Sequence, residues 1–190
     1  MNRMMRVRRI LVLLTAAALV LLASCATKPP VEEPVKPPVE QPKPGLPEKE
    51  YAEAKSLKAK VDQNGLAEYV PDDYKKAEAS LQEAEGTYNK DNAKAKASLD
   101  QAIAAYNAVI SKGFPLKTEK SRRDAEALKT KADGLKAQVA AKAEYAAALA
   151  KYDEAVAAQK AGQYEKAIGS FAEAGKMFDG VFVLTQQKMA

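Results

Sequence analysis

The sequence contains no histidine, no tryptophan and only one cysteine, Cys25. Zinc sites in proteins are built mainly from cysteine and histidine. The acidic residues of this chain form no cluster in the sequence that could replace those ligands. We therefore expect no bound metal.

Motifs for nucleotide binding and catalysis are also missing. The sequence has no Gly-x-Gly-x-x-Gly motif, no phosphate-binding loop and no Gly-x-Ser-x-Gly motif. Serine and lysine are abundant, but no pattern places a particular pair together in a cleft. The sequence therefore predicts a protein that is not an enzyme and that binds no cofactor.

The positive charge of the chain is concentrated at its start. The formal net charge is +5, but four arginines and no acidic residues precede Cys25. Without that segment the chain has 26 basic and 25 acidic residues, and the two signs are interspersed. Because nucleic-acid binding needs a basic patch, we expect no nucleic-acid partner.

The first 25 residues have the order of features that is typical of an export signal. The arginines form a positively charged start, and the apolar run 10–22 follows it. At about 1.5 Å per residue this run spans only about 20 Å, which is short for a transmembrane helix. Two small residues, Ala23 and Ser24, then precede Cys25, as cleavage by a signal peptidase would require.

The residues Leu22-Ala23-Ser24-Cys25 resemble the lipobox of bacterial lipoproteins, a Leu-[Ala/Ser]-[Gly/Ala/Ser]-Cys motif, at all four positions. The resemblance implies cleavage between Ser24 and Cys25, so that residues 1–24 are a removed signal peptide. It also implies a diacylglycerol, and usually a third acyl chain, on Cys25. These chains would make the membrane a partner of the protein.

Two alternatives to lipidation are an ordinary secretory signal with an incidental cysteine and an uncleaved membrane anchor. Either would leave an unpaired thiol at Cys25 in an oxidising compartment. The next residue, Ala26, bears on localisation, because the signal for retention in the inner membrane is usually aspartate at that position. The resemblance thus favours the periplasmic face of the outer membrane, with the inner membrane and the cell surface as alternatives.

Eight of the ten prolines lie between Pro29 and Pro47. Proline fixes φ and removes a hydrogen-bond donor, so this stretch favours polyproline II over helix or strand. We expect residues 25–50 to form the lipidated cysteine and a disordered tether. About 20 proline-rich residues could reach roughly 60 Å. A proline-rich ligand for a peptidoglycan or partner domain is the alternative.

Residues 51–190 are expected to form an all-α domain. The segment is rich in Ala, Lys, Glu, Leu and Gln, and its apolar residues recur at intervals of three and four, the spacing of one helix face. Asn64-Gly65 is expected to end a first helix, and Pro71 is expected to begin a second. The turn 89–92 then leads into a third helix.

We expect the third helix to end at Gly113 and Pro115, because proline is poorly tolerated inside a helix. No proline follows, so a long central helix is expected over about 118–160, with Gly134 inside it. The turn 161–163 then leads into a last helix. Together these elements predict extended antiparallel helical hairpins, or a bundle, with a long central helix.

Two of the hairpins, at about 72–110 and 144–182, resemble each other. Seven apolar positions align after a shift of 71 residues, which becomes 72 after the turn. The aligned pairs are Leu81 with Tyr152, Ala84 with Ala155, Ala95 with Ala167, Leu99 with Phe171, Ala102 with Ala174, Tyr106 with Phe178 and Ile110 with Phe182. Alanine-rich helices align easily, so the pattern predicts two antiparallel helix pairs whether or not they share an ancestor.

The second hairpin carries Gly162, Tyr164, Ala167, Phe171 and Ala174. These residues resemble half of the signature of the tetratricopeptide repeat, in which alanines let two helices approach closely and aromatic side chains fill the gap. The first helix of the hairpin departs from that signature. The resemblance therefore covers one degenerate repeat and does not predict a regular superhelical array.

Aromatic side chains are the remaining candidates for a partner or ligand surface. The candidates are five aromatic residues of the second hairpin: Tyr152, Tyr164, Phe171, Phe178 and Phe182. The default role of such residues is to pack against alanine on a neighbouring helix. The run 181–184 has four consecutive apolar residues, which cannot all face one side of a helix. It either caps the bundle or exposes an edge for a partner.

The sequence thus predicts a lipid-anchored protein of the cell envelope that acts as a helical scaffold or protein-interaction module, with an envelope protein as its partner. The alternative is a periplasmic lipoprotein that binds a peptide or small apolar ligand through the tetratricopeptide-like hairpin and serves a transporter. Full burial of Tyr152, Tyr164 and Phe171 would favour the scaffold, and a concave, partly exposed aromatic pocket would favour the alternative.

Overall fold

The computed structural model describes residues 44–190, and every regular element in that range is a helix. The elements are α1 (Glu48–Gln63), a short 3-10 helix (Leu66–Glu68), α2 (Pro71–Thr87), α3 (Asn92–Gly134), α4 (Ala137–Ala140), α5 (Lys142–Lys160) and α6 (Tyr164–Met189). The predicted all-α class with a long central helix is confirmed. No helix in this part of the chain is long and apolar enough to cross a bilayer. The predictions for the signal peptide, for Cys25 and for most of the tether lie outside the described residues.

The long central helix is α3, and its position differs from the prediction. It has 43 residues, or roughly 65 Å at 1.5 Å per residue, and it continues through Gly113 and Pro115. The prediction that these two residues end a helix, and that the long helix covers 118–160, is wrong. The break comes after Gly134, where Lys136 adopts the left-handed conformation with φ 54°.

Close packing explains why Gly113 lies inside a helix. A Cβ atom added to Gly113 would lie 3.0 Å from Cβ of Leu66, and both residues are buried. Gly113 therefore lets the 3-10 helix lie directly against α3. Pro115 removes one backbone hydrogen bond from α3, and the core packing of Phe114, which is 5% exposed, offsets this cost.

The Gly113→Ala substitution should destabilise the protein, although alanine is the better helix former. Overpacking a buried contact costs about 1–3 kcal/mol, and for a Cβ pressed on another Cβ we expect this to outweigh the gain of about 1 kcal/mol in helix propensity. Gly169→Ala is the matched control, because no atom lies within 4 Å of its added Cβ, and it should be neutral or stabilising. Urea unfolding followed by circular dichroism measures both; a Gly113→Ala protein as stable as the control would contradict this contact.

Two three-helix bundles share α3. Unit 1 consists of α1, α2 and residues 92–118 of α3. Unit 2 consists of residues 119–134 of α3 together with α4, α5 and α6. The core of unit 1 is one large cluster of buried residues, and the core of unit 2 comprises three smaller ones.

The helix pairs within the units have the predicted antiparallel orientation. In unit 1, Asp73 at the start of α2 pairs with Lys112 at 2.7 Å, and Glu83 near its end pairs with Lys94 at 3.1 Å. The ion pairs between α5 and α6 show the same orientation in unit 2. Helix α1 instead runs parallel to α3, because its first turn lies beside the start of α3 and its last turn lies beside Phe114.

The two units share one arrangement of helices, so the structural similarity extends beyond the two predicted hairpins. Backbone angles agree at turn positions that are 71 residues apart. Gly65 has φ 58° and ψ 36°, and Lys136 has φ 54° and ψ 39°. Val70 has φ −142° and ψ 60°, and Ala141 has φ −132° and ψ 53°. The repeat therefore includes α1 and the C-terminal part of α3.

Core positions match between the units as well. Each of the following pairs is buried on both sides: Ala54 and Ala125, Val61 and Ala132, Leu66 and Ala137, Ala77 and Ala148, Ala84 and Ala155, Ala95 and Ala167, Leu99 and Phe171, Ala102 and Ala174, Tyr106 and Phe178. The small alanines let the helices approach closely, and the larger residues fill the space between them. One helical unit, used twice on a shared helix, thus accounts for the whole described part of the chain.

Candidate functional site

The five aromatic residues that were candidates for a binding surface do not form one pocket. Phe171 and Phe178 are fully buried, and Tyr152, Tyr164 and Phe182 are partly buried. Four of them pack in the cores and edges of unit 2. Tyr164 instead lies where the two units meet.

The ring of Tyr152 packs edge-on against Phe171, with 5.3 Å between the ring centroids. Its hydroxyl donates a hydrogen bond to Glu126 on α3, and the same carboxylate accepts a hydrogen bond from Arg122. Phe178 packs in a similar way against Tyr145, at 5.7 Å. These side chains bind α5 and α6 to α3, which is the packing role.

The place where units 1 and 2 meet forms an open groove beside Tyr164, here called the junction groove. The ring of Tyr164 stacks on Phe114 with 6.4 Å between centroids and an interplanar angle of 12°. The ammonium group of Lys60 lies 5.5 Å from the centroid of the Phe114 ring. The groove has a volume of about 510 Å³, and Ile110 and Lys166 also line it. An apolar or aromatic group of a partner could occupy it.

Each unit contains one polar cluster of lysine, aspartate and tyrosine at equivalent positions. In unit 1 the hydroxyl of Tyr74 donates to Asp62 at 2.9 Å, and Lys58 lies 3.3 Å from the same carboxylate. In unit 2 Tyr145 donates to Asp133, and Lys129 lies 2.7 Å from Asp133. Each lysine also lies over the ring of its tyrosine, at 5.3 Å and 5.8 Å from the centroid.

These clusters affect the pKa values of their members. Burial by itself would raise the pKa of Asp133, but hydrogen bonds from Lys129 and Tyr145 lower it below the ordinary 3.8. A carboxyl group whose pKa is lowered on folding stabilises the fold above its ordinary pKa, and this contribution is lost as the pH falls through the lowered value. The unit 2 cluster therefore helps to hold α5 against α3 at neutral pH.

The unit 1 cluster has one further member. Glu78 accepts hydrogen bonds from Lys58, at 2.7 Å, and from the hydroxyl of the buried Tyr106. The corresponding residues of unit 2 are Leu149 and Phe178, so a hydrogen-bonded pair in one unit is an apolar pair in the other. Such an exchange is consistent with a structural role for both, because the contact is kept while its chemistry changes.

The far end of α3 forms an exposed surface with α4 and the end of α6. Residues 131–144 and 181–189 are here called the distal end. Val181 is buried and Phe182 is partly buried, but Val183 is 45% exposed. The run 181–184 therefore both caps the bundle and exposes an edge. Val139 is 76% exposed and Met189 is 67% exposed, so the exposed edge includes apolar residues outside that run.

Sequence reasoning did not find the distal end. Lys136, Val139 and Lys142 belong to no motif, and they lay inside the expected helix over 118–160. The signal that could have found them is the repeat itself, because unit 1 has Gly65, Glu68 and Pro71 at the same positions.

Comparisons with known protein families, with curated proteins and with solved structures found no match to this chain. Within residues 44–190, no group of three or more acidic side chains lies close enough together to hold a metal ion.

Proposed function

We propose that this protein is a lipid-anchored helical scaffold of the cell envelope, which holds a partner at a fixed distance from the membrane. The observation that carries the proposal is the single helix α3, which is shared by two copies of one three-helix unit. A helix that is packed on both of its halves resists bending, so it suits a spacer. In this proposal the protein is not an enzyme and its work is positional.

The described start of the chain supports an order in which the lipid anchor is followed by the tether and then by the elongated helical domain, here called the rod. The backbone carbonyl of Pro44 accepts a hydrogen bond from the side chain of Asn92 at 3.0 Å, so the chain enters the helical domain beside the first turn of α3. The distal end then lies roughly 65 Å further along α3. In this proposal Cys25 carries the anchor, on the periplasmic face of the outer membrane if Ala26 directs sorting there, and the distal end is the end of α3 opposite to the point where the tether joins the domain.

A second candidate function is the binding of a peptide or small apolar ligand by a lipoprotein that serves a transporter. The junction groove favours it, because Tyr164, one residue of the tetratricopeptide-like hairpin, lines that groove together with Phe114. A photo-crosslinking amino acid distinguishes the two functions in intact cells. Capture of a peptide or small molecule from position 164, with no capture from position 183, would support ligand binding. Capture of an envelope component, lipid or protein, from position 183 and not from position 164 would support the scaffold.

The Cys25→Ser substitution tests the anchor. We expect the native protein to incorporate labelled palmitate and to remain with the membrane fraction, because each buried CH₂ of an acyl chain contributes about 0.8 kcal/mol of membrane binding. The variant should lose the label. The conservative substitution Thr27→Ser, two residues away, is the control and should leave labelling unchanged. A Cys25→Ser protein that still carried palmitate would overturn the proposal.

A further inference from the structure

The turn between the first two helices of each unit has similar backbone angles at its two ends but opposite charge in the two units. In unit 1 the turn 65–73 contains three acidic residues and no lysine. In unit 2 the turn 136–144 contains two lysines and one acidic residue, Glu144. Glu68 of unit 1 is replaced by Val139, which is the most exposed large apolar residue of the described chain. Because the ends of the turn have similar backbone angles in both units, the difference in charge is not needed to form them.

Both lysines are poorly suited to the local backbone. Lys136 occupies a left-handed position with φ 54°, where unit 1 has glycine, and residues with a Cβ atom are strained there. Lys142 begins α5, where a positive charge opposes the helix dipole; unit 1 has Pro71 there, followed by two aspartates. Positions that break local rules in an otherwise consistent fold are often functional.

Lysines on α3 and α6 also lie at the distal end. The ammonium group of Lys188 on α6 donates to the backbone carbonyl of Ala140 at 2.9 Å, so the end of α6 lies against α4. The distal end contains four lysines, at 131, 136, 142 and 188, and two acidic residues. One of these acids, Asp133, is already bound by Lys129 and Tyr145. The distal end, which carries the exposed Val139, Val183 and Met189, thus has a net positive charge.

We propose that the distal end docks on an anionic phospholipid membrane. Lysines next to isolated exposed apolar side chains fit such a surface, because the ammonium groups bind the headgroups while the apolar groups enter the interface. Val139, Val183 and Met189 do not line the apolar groove beside Val181 and Leu184. Lysine is depleted in protein–protein interfaces, so the lysines around these side chains favour a bilayer over the surface of a folded protein. The inference rests on the proposed function: with acyl chains on Cys25 at one end, the rod would bridge two membranes.

Vesicle bridging tests the proposal with the lipidated native protein. Donor vesicles of phosphatidylcholine carry the protein through its acyl chains. Acceptor vesicles are either phosphatidylcholine alone or phosphatidylcholine mixed with phosphatidylglycerol. We expect capture of the anionic acceptor vesicles only, and we expect it to weaken as ionic strength rises.

The double substitution Lys136→Gly and Lys142→Gln should lower capture about 25-fold, because each lysine near an anionic surface contributes about fivefold. The same variant should unfold at a higher temperature, since glycine fits the left-handed position. The matched control is Lys75→Gln with Lys76→Gln, which removes two exposed charges from α2 of unit 1 and should leave capture unchanged.

The two proposals fail in different ways. Equal capture by the distal-end variant and the control, or equal capture of neutral and anionic acceptors, would overturn docking by the distal end. Failure of the donor vesicles to retain the protein would instead overturn the anchor, and with it the bridging of two membranes.

Discussion

The Phe178→Ala substitution is expected to lower the free energy of unfolding by about 3–5 kcal/mol, the usual cost of removing a buried phenylalanine ring. Phe178 is fully buried. It packs against Tyr145 and in a cluster with Ala148 and Ala174. The buried neighbours Ala148 and Ala174 are too small to refill the space, and Tyr145 is held by its hydrogen bond to Asp133.

Urea unfolding of the Phe178→Ala protein, followed by circular dichroism, measures this loss. The control is Val183→Ala, five residues further along α6, where the side chain is 45% exposed. It should change stability by no more than about 0.5 kcal/mol. A loss at Phe178 as small as that of the control would mean that the ring does not hold unit 2 together, and Phe178 would return as a candidate for ligand contact.

The Lys120→Pro substitution is expected to have an effect of similar size, through the backbone of α3. Lys120 is exposed, and its ion pair with Asp124 lies at the surface, where such pairs contribute little. Proline inside a helix costs about 3 kcal/mol or more, because it removes a hydrogen bond and its ring meets the preceding turn. Nothing near position 120 corresponds to the buried Phe114 that offsets the cost of Pro115.

The matched control for Lys120→Pro is Lys142→Pro. Position 142 is the first residue of α5, where proline is tolerated, and unit 1 carries Pro71 at the same place. The preceding residue, Ala141, already has backbone angles close to those of Val70 before Pro71. The control should therefore retain stability in urea, while Lys120→Pro should lose it. Equal losses in both variants would contradict the view that α3 continues through the junction of the two units.

The helical class and the turns of this chain could be predicted from the sequence because local signals set them. Each of these signals acts within a few residues. They are glycine in the left-handed conformation at Gly65 and Gly162, proline at the start of α2, and the side chain of Asp91, which accepts a hydrogen bond from the amide of Lys94 at the start of α3. The prediction that Pro115 ends a helix is wrong because the packing of Phe114 in the core, which involves residues distant in sequence, outweighs the cost of the hydrogen bond that proline removes. The close approach of Leu66 to Gly113 is not visible in any short stretch of sequence.

The candidate site was predictable to a smaller extent. Packing was the expected role of the aromatic residues, and the burial of Phe171 and Phe178 agrees with it. Tyr164 could not be placed in advance, because it contacts Phe114 from the other unit. The left-handed Lys136 could not be foreseen either, since no sequence rule predicts lysine where glycine fits better. It became apparent only when the two units were compared position by position.

The distance between two spin labels on α3 tests the central claim, which is that one unbroken helix supports both units. The labels are attached to cysteines at Ala97 and Lys131, which are both exposed, in a chain that carries Cys25→Ser so that no other thiol is labelled. A continuous helix places these two Cα atoms about 51 Å apart, and we expect a single narrow distribution near that distance after allowance for the label arms. A broad distribution, or one centred well below that distance, would show a hinge at Gly113 and Pro115 and would contradict the account.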